Sequence, residues 1–422
     1  MSQNKHSEGT ILSGFANDAN SVDEAIKINE YLYISKDMGD SILVTTHDTD
    51  VVINTGLPGR GQRHRARFAK VSANPIGHII LTQCHANQFG GAEAMRDPET
   101  NIIAQARYPE CRQYWQWLND FYTQRSGKLW GKVLGKNRSG ISANIVEAKL
   151  DTLFDDSHKF EVGGRQFELY ATPGGESLDA LIVWLPADNI AVVGNLFGPI
   201  FGHLPNLYTI RGDKIRSAIR YIESIEKVLA LKPKMIVTGH EVIEGAESIA
   251  NAISRLRDAV KYLHQQTIAG MNAGKKIHTL MAEIKLPKHL KVGEGHGKTP
   301  WCIRAIWEEY AGWFHYDSTT SLYHIPQSHV AGDIVELAGG ADKLIERAQC
   351  YIANKKPLEA IHLIDISLSA EPNNPLALQA NIDAHRQLLE TNESETFSEI
   401  MWLKSEIELT EQTLKTIGAN LD

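Results

Sequence analysis

Residues Leu81–Ala92 read LTQCHANQFGGA. They follow a short apolar run, His78–Leu81 (HIIL), that has the character of a buried strand, and they end in a Gly-Gly pair placed to open a helix. Between strand and helix stand one imidazole and three amides: Gln83, His85, Asn87 and Gln88. Imidazole is a strong transition-metal ligand and a neutral amide is a weak one, so the loop raises the question of whether it holds a metal.

Working outward from that loop, the preceding residues read as a sheet. Glu30–Ser35 (EYLYIS), Ser41–Thr45 and Val51–Asn54 are rich in β-branched and apolar residues, and the Asp48–Asp50 turn makes a hairpin of the last two. Arg60–Lys70 (RGQRHRARFAK) is a basic helical run; an anion-attracting surface and a solvated helix face both account for it, the second being the commoner. Beyond the loop, Asn101–Ala104 reads as a strand. Pro109–Tyr122 reads as a helix whose aromatics (Tyr114, Trp115, Trp117, Phe121, Tyr122) either line a cleft or pack against the sheet.

A second sheet is expected from Phe160–Val162, Gln166–Ala171, Ala180–Leu185 and Asn189–Val193, separated by Gly- and Pro-containing turns. Asp213–Leu231 reads as an amphipathic helix, and Met235–Thr238 as a buried strand ending at Gly239-His240. Helices are expected at Ser248–Ala269 and near Thr299–Trp313. The order implies an α/β fold, two sheets face to face with helices outside, the αββα sandwich.

From Glu336 onward the strand signals stop. Asp342–Asn354, Pro357–Ala370 and Pro375–Leu389 read as three helices with small residues at Ala348, Ala360 and Ala380, close to tetratricopeptide geometry, and Thr396–Ile417 as a fourth, amphipathic one. So few repeats cannot bury their own faces, which makes a homodimer through these C-terminal helices the expected use of the segment. The expected domains are 1–290, a connector at 291–330, and the helical module at 331–422.

The chain has 422 residues and a net charge of −8 from 43 basic and 51 acidic side chains, which argues against a nucleic-acid partner. Cys84, Cys111, Cys302 and Cys350 are widely spread with no C-x-x-C pair, against a disulfide framework and a zinc ribbon. The N-terminal residues lack an apolar run of signal-peptide length, and no membrane-spanning run occurs. A soluble, cytoplasmic protein with no membrane partner is expected.

Beyond the central loop, TPGGE (Thr172–Glu176), GNLFGPIFGHLPNLYTIRG (Gly194–Gly212), TGH (Thr238–His240), WCIRAIWEEYAGWF (Trp301–Phe314) and ELAGGADKL (Glu336–Leu344) arrive in a single order. In these motifs the chain resembles the linear alkylsulfatase branch of the metallo-β-lactamase superfamily, from the first strand to about Leu389. The resemblance implies a metallo-β-lactamase sandwich followed by a helical dimerisation domain. It also implies two zinc ions that activate water against a sulfate ester. The sterol-carrier-like domain that follows in the family has no counterpart here, so the expected substrate is a small anionic ester rather than a long-chain detergent.

Carried over residue by residue, the first-metal ligands fall on Gln83, His85 and Glu176, and the second-metal ligands on Asn87, Gln88 and His240, with Asn195 where a carboxylate is expected. Asn206 and Arg211 fall on sulfate-binding positions, with Tyr208 and His203 as neighbouring polar candidates. Four of the seven ligand positions are neutral amides, and Asp179 is a second carboxylate nearby. The implied cofactor is therefore zinc or another divalent metal, with one ion on His85, Glu176 and His240 favoured over two; two histidines and a carboxylate also suit iron(II) oxygen chemistry. The catalytic group on this reading is His85, Glu176, His240 and Arg211.

Plainer uses stand beside each assignment. His85 and His240 also make sense as hydrogen-bonded structural histidines, Glu176 as an acceptor within its own turn, and the four amides as a network filling the cavity. Arg211 would equally cap a helix beginning near Asp213. The loop Gly293–Trp301 (GEGHGKTPW) either closes over an anion or links two domains. A metal-dependent hydrolase and a metal-free, non-catalytic binding protein on the same scaffold both follow from this sequence.

Overall fold

The computed structural model describes residues 23–130, 145–391 and 396–419; the N-terminal residues read above for a signal lie outside these up to residue 22. The chain divides into two compact units, one ending at Tyr310 and one beginning at Ala311. The stretch 291–310, read above as part of a connector, belongs to the first unit.

The first unit holds two sheets. The seven-stranded sheet runs β1 (Ile26–Lys27), β2 (Leu32–Ser35), β3 (Ser41–Val44), β4 (Asp50–Ile53), β5 (Ile76–Ile80), β6 (Asn101–Gln105) and β7 (Thr152–Phe154) in spatial order. Its first half is antiparallel, and from β4 onward the pairing is parallel. The six-stranded sheet is ordered β13 (Val242–Glu244), β12 (Met235–Thr238), β11 (Ile190–Gly194), β10 (Leu181–Leu185), β9 (Arg165–Ala171) and β8 (Ser157–Val162).

Alternation along the strands explains the layers. Ile42 and Val44 of β3 meet Leu181, Val183 and Val192 in the core between the sheets, whereas Leu43 points the other way. On that outer face it joins α1 (Gly61–Phe68), α2 (Ala86–Phe89), α3 (Ala92–Met95), α4 (Tyr108–Trp117) and α5 (Asn119–Trp130). In β10, Ile182 and Trp184 likewise turn outward, to a core shared with α6 (Ala218–Leu231), α7 (Ala246–Asn272), α8 (Ile277–Glu283) and α9 (Thr299–Ala311). Strands covered on both faces carry apolar residues at every position, as LIVWL in β10 does. Each such side chain contributes roughly 1.5–3 kcal/mol by leaving water. The αββα sandwich is the observed fold.

Local expectations are corrected at four places. The aromatic helix is broken at Leu118 into α4 and α5, leaving Trp117 and Phe121 exposed while Tyr114 and Tyr122 are buried. The basic run is no simple solvated face: His64 and Arg67 of α1 are buried, bonded to Ser35 Oγ at 2.7 and 3.0 Å. Helix α6 starts after its Ser217 cap and not at Asp213, which leaves residues 213–216 free for another use. Strands β1, β7 and β13 are too short to signal themselves.

The second unit contains α10 (Ala331–Leu337), α11 (Ala341–Ala353), α12 (Pro357–Ala370), α13 (Pro375–Thr391) and α14 (Phe397–Ala419). Its core joins Ile345 and Ile364 to Ala348, Ala360, Ala377, Ala380 and Ala384, small residues that let helix backbones approach closely. Among the described residues, no helix is long and apolar enough to cross a membrane.

Candidate active site

The parallel strands β4, β5, β11 and β12 end on one edge of the sandwich, and the loops leaving them carry the candidate residues. Hydrogen bonds between the sheets hold that edge together, Leu181 N donating to Thr82 O at 2.9 Å and Asp40 N to Gly239 O at 3.0 Å, and within the six-stranded sheet Gly239 N donates to Gly194 O at 2.9 Å. The approach is tight. Gly194, at φ +51°, lies so near Thr82 that a Cβ there would come within 2.4 Å of its hydroxyl.

One side of the cavity is a network of charge. His85, at the N-terminus of α2, has Nδ1 2.7 Å from the Gln83 amide and 3.8 Å from Glu176 Oε2, while its Nε2 faces Asp213 Oδ2 at 3.6 Å. Arg216, only 4 % exposed, reaches both carboxylates, 3.1 Å to Glu176 Oε1 and 3.5 Å to Asp213 Oδ2. It is fixed there by a 2.9 Å bond to the Asn206 carbonyl. His296 Nε2 also meets Glu176 Oε1, at 3.0 Å. Burial alone would push the Glu176 carboxyl up, but Arg216, His296 and His85 outweigh it and hold the group at about 2. Asp213 likewise lies well below the usual range, burial being outweighed by His85, Arg216 and Arg211.

The other side is neutral. Gln88 and Asn195 converge on the Cα face of Gly239, where an added Cβ would lie 2.5 Å from Asn195 Oδ1 and 3.2 Å from Gln88 Nε2. Both Gln88 amide atoms and Asn195 Oδ1 are buried with no hydrogen-bond partner. His240 follows, its imidazole driven down to about 4 by burial and by Lys36, whose ammonium bonds the His240 carbonyl at 2.5 Å. Asn87 is half-buried, its carbonyl packed against Gly39.

The remaining candidates divide. Arg211 lies 4.9 Å from the Trp115 ring centroid and 3.5 Å from Asp213, with a buried Nε that makes no hydrogen bond, and the Arg216 Nε is in the same state. Trp115 packs edge-on against His85 at 5.6 Å, so part of the aromatic helix does line the site. Arg211 caps no helix. Tyr208 is 39 % exposed, and His203 Nδ1 accepts from Gly295 N at 2.9 Å, which fastens the 293–301 loop. That loop is no plain linker, because it delivers His296 to Glu176.

As a donor set, the charged side fits one divalent ion: an imidazole, a carboxylate whose Oε2 is not taken by Arg216, and an amide beside them. The neutral side does not fit a second, having one imidazole and no carboxylate among Asn87, Gln88, Asn195 and His240. Nor do His85, Glu176 and His240 form a trio with all ligand atoms within 4.8 Å, among the described residues. Asp213, Arg216 and the placement of His296 were not legible as site features; the charged run RGDKIR was the available signal.

The Metallo-beta-lactamase superfamily profile matches residues 34–240, and the Alkyl sulfatase dimerisation profile matches residues 276–411. A linear primary-alkylsulfatase from Pseudomonas sp. (strain ATCC 19151) is 28% identical over 329 residues, covering 71% of this chain and 60% of that protein. The alkyl/aryl-sulfatase BDS1 of Saccharomyces cerevisiae is 23% identical over 353 residues, covering 77% and 53%. The chain thus spans between half and three fifths of the curated relatives it matches. In structure it is similar to the stereoselective inverting sec-alkylsulfatase Pisa1 from Pseudomonas sp., with TM-score 0.80 at 19% identity over 94% of this chain and 70% of that one.

Proposed function

We propose that this member of the metallo-β-lactamase superfamily, in which the superfamily domain is joined to an alkyl sulfatase dimerisation domain, hydrolyses a small sulfate-type ester to an alcohol and inorganic sulfate. The observation that carries the reading is the pair of guanidiniums, Arg211 and Arg216, each with an unspent buried N–H, beside His85 and Glu176. Guanidinium geometry suits bidentate contact with a tetrahedral oxyanion. Low dielectric around the donors strengthens that contact.

Within this reading Arg211 takes the sulfate oxygens, and the buried, unpartnered Asn206 side-chain oxygen belongs to a residue whose carbonyl holds Arg216. Asp213 faces His85 Nε2 at 3.6 Å, and the other ring nitrogen, Nδ1, is turned toward Glu176. Arg216 keeps both carboxylates ionised, and Trp115 closes the pocket against bulk water. His85 and Glu176, with the Gln83 amide, would hold one divalent ion, zinc or iron, which when bound supplies a hydroxide at neutral pH. Two copies pair through the second unit, and the free thiols of Cys84, Cys111, Cys302 and Cys350 fit a reducing, cytoplasmic setting.

The test is sulfate release from short alkyl sulfates by protein purified without chelators. Turnover that falls at least about 100-fold in Arg211→Ala supports the reading. A second reading, a metal-free binding protein, is favoured by the neutral side of the cavity and by Arg216 already neutralising Glu176. Sulfate binding with no turnover, at under a tenth of an equivalent of any transition metal, selects it. Sedimentation at micromolar concentration tests the dimer, and a monomer contradicts it.

A further inference from the structure

Next to His85 in the chain, three side chains from distant parts of the first unit meet. Cys84 comes from the central loop, Cys111 from α4 and Asp179 from the turn after Glu176. One ligand atom from each lies within 4.8 Å of the other two, and all three residues are 0 % exposed. Among the described residues this is the His, Cys, Asp or Glu trio gathered so closely.

Two cysteines in an apolar core are ordinary. Asp179 is not. Neither of its carboxyl oxygens has a hydrogen bond of normal geometry, and burial pushes the group up against the weaker pull of the Ser177 hydroxyl, His85, the Cys84 thiol and its own backbone N–H. The Ser177 and Tyr108 hydroxyls are also buried and unspent. A fully buried carboxyl this poorly hydrogen-bonded is costly in a core, so this one calls for a partner.

A disulfide between Cys84 and Cys111 would leave Asp179 as it is. Buried thiols are also poor nucleophiles, and burial pushes the Cys84 thiol well up. A cation answers all three groups at once. Around a tetrahedral zinc, thiolate sulfurs at about 2.3 Å from the ion stand roughly 3.8 Å apart, so the trio needs to contract by no more than about 1 Å.

We propose that Cys84, Cys111 and Asp179 form a thiolate-containing site for a borderline or soft divalent cation of the zinc type, separate from the Glu176 cavity. Binding releases both thiol protons to solvent and forms two metal–sulfur bonds and one metal–oxygen bond. Two thiolates and a carboxylate leave a net charge of −1 with the ion, close to the Arg112 guanidinium, whose Nη1 lies 3.4 Å from the Cys84 carbonyl. The site anchors the residue immediately before His85 and so sets where that imidazole points.

Cobalt(II) is the probe, added anaerobically to the reduced full-length chain. The expected result is an intense near-ultraviolet thiolate-to-cobalt charge-transfer band that saturates at one equivalent, apart from any cobalt taken by the Glu176 cavity, which gives no such band. The band should persist in the double variant His85→Ala/Glu176→Gln and vanish in Cys84→Ser and in Cys111→Ser. Asp179→Asn should keep the band and weaken cobalt binding at least tenfold. Folded wild-type protein with no such band overturns the proposal, as does a band lost only in the His85/Glu176 variant. Should the serine variants fail to fold, X-ray absorption on the cobalt-loaded wild type decides. Sulfur among the nearest neighbours supports the site, and nitrogen and oxygen alone overturn it, as does a Cys84–Cys111 disulfide in protein kept anaerobic with metal.

Discussion

The two sides of the cavity, built on the same strand ends, differ in how their polar groups are compensated. Around Glu176 every charge faces an opposite one: His85 and Arg216 lie between Glu176 and Asp213, and His296 closes the ring. Around Asn195 and Gln88 there is no charge to compensate, yet buried amide atoms are left without partners. The contrast teaches that one cavity can be charge-compensated on one side and lined by unpartnered amides on the other. One side draws a cation and a carboxylate from residues 213–216, and the other is lined by neutral amides and an imidazole.

The largest effect should come from removing the shared cation. Arg216→Met leaves two carboxylates buried without their counter-charge, and urea unfolding should show the first unit destabilised by about 3–5 kcal/mol. A loss under about 1 kcal/mol would mean that the charged side is solvated after all.

Next is an attempt to make the two sides alike. Restoring strong ligands with Gln83→His, Asn87→Asp, Gln88→His and Asn195→Asp should raise bound zinc, measured by elemental analysis, from at most one equivalent at this cavity to two. A folded variant that takes up no additional zinc would show that the neutral side has lost its geometry as well as its charge.

A change outside both sides calibrates them. His64 is buried and its imidazole is held at about 4, below the usual 6.5, chiefly by burial. A base whose folded pKa is depressed gains protons in the unfolded state first, so its contribution to stability is intact above pH 6.5 and is lost as pH falls toward 4. Unfolding midpoints measured across that window should drop less in His64→Gln than in the wild type.

The smallest effect is expected on the neutral side. Gln88→Met removes a buried amide that bonds nothing and keeps the volume, so stability should be unchanged or rise by about 1 kcal/mol. A loss above about 2 kcal/mol would reveal partners for the Gln88 amide and remove the contrast between the two sides.

Much of this was legible in one dimension. HIIL, LIVWL and MIVT announce buried strands, and Ala348, Ala360 and Ala380 mark close helix contacts, because burial on both faces or along one helical face imposes a pattern on neighbouring residues. The site was legible only through motif positions. Arg211 falls on a motif position; Arg216, five residues on, reads as part of a helix that in the structure starts only at Ala218, since a charged run of this kind reads equally as an exposed first turn.

By itself, then, the amino-acid order determined the strands, the helices, their sandwich arrangement and the neutral amides at Gln83, Asn87, Gln88 and Asn195. All of these depend on side-chain identity or on periodicity within a few residues. Only the tertiary structure decided that Arg216 meets Glu176, that His296 crosses 120 residues to join them, and that Cys84, Cys111 and Asp179 share one buried point. Such meetings are set by strand register and by the paths of loops between sheets, and no local pattern carries that information.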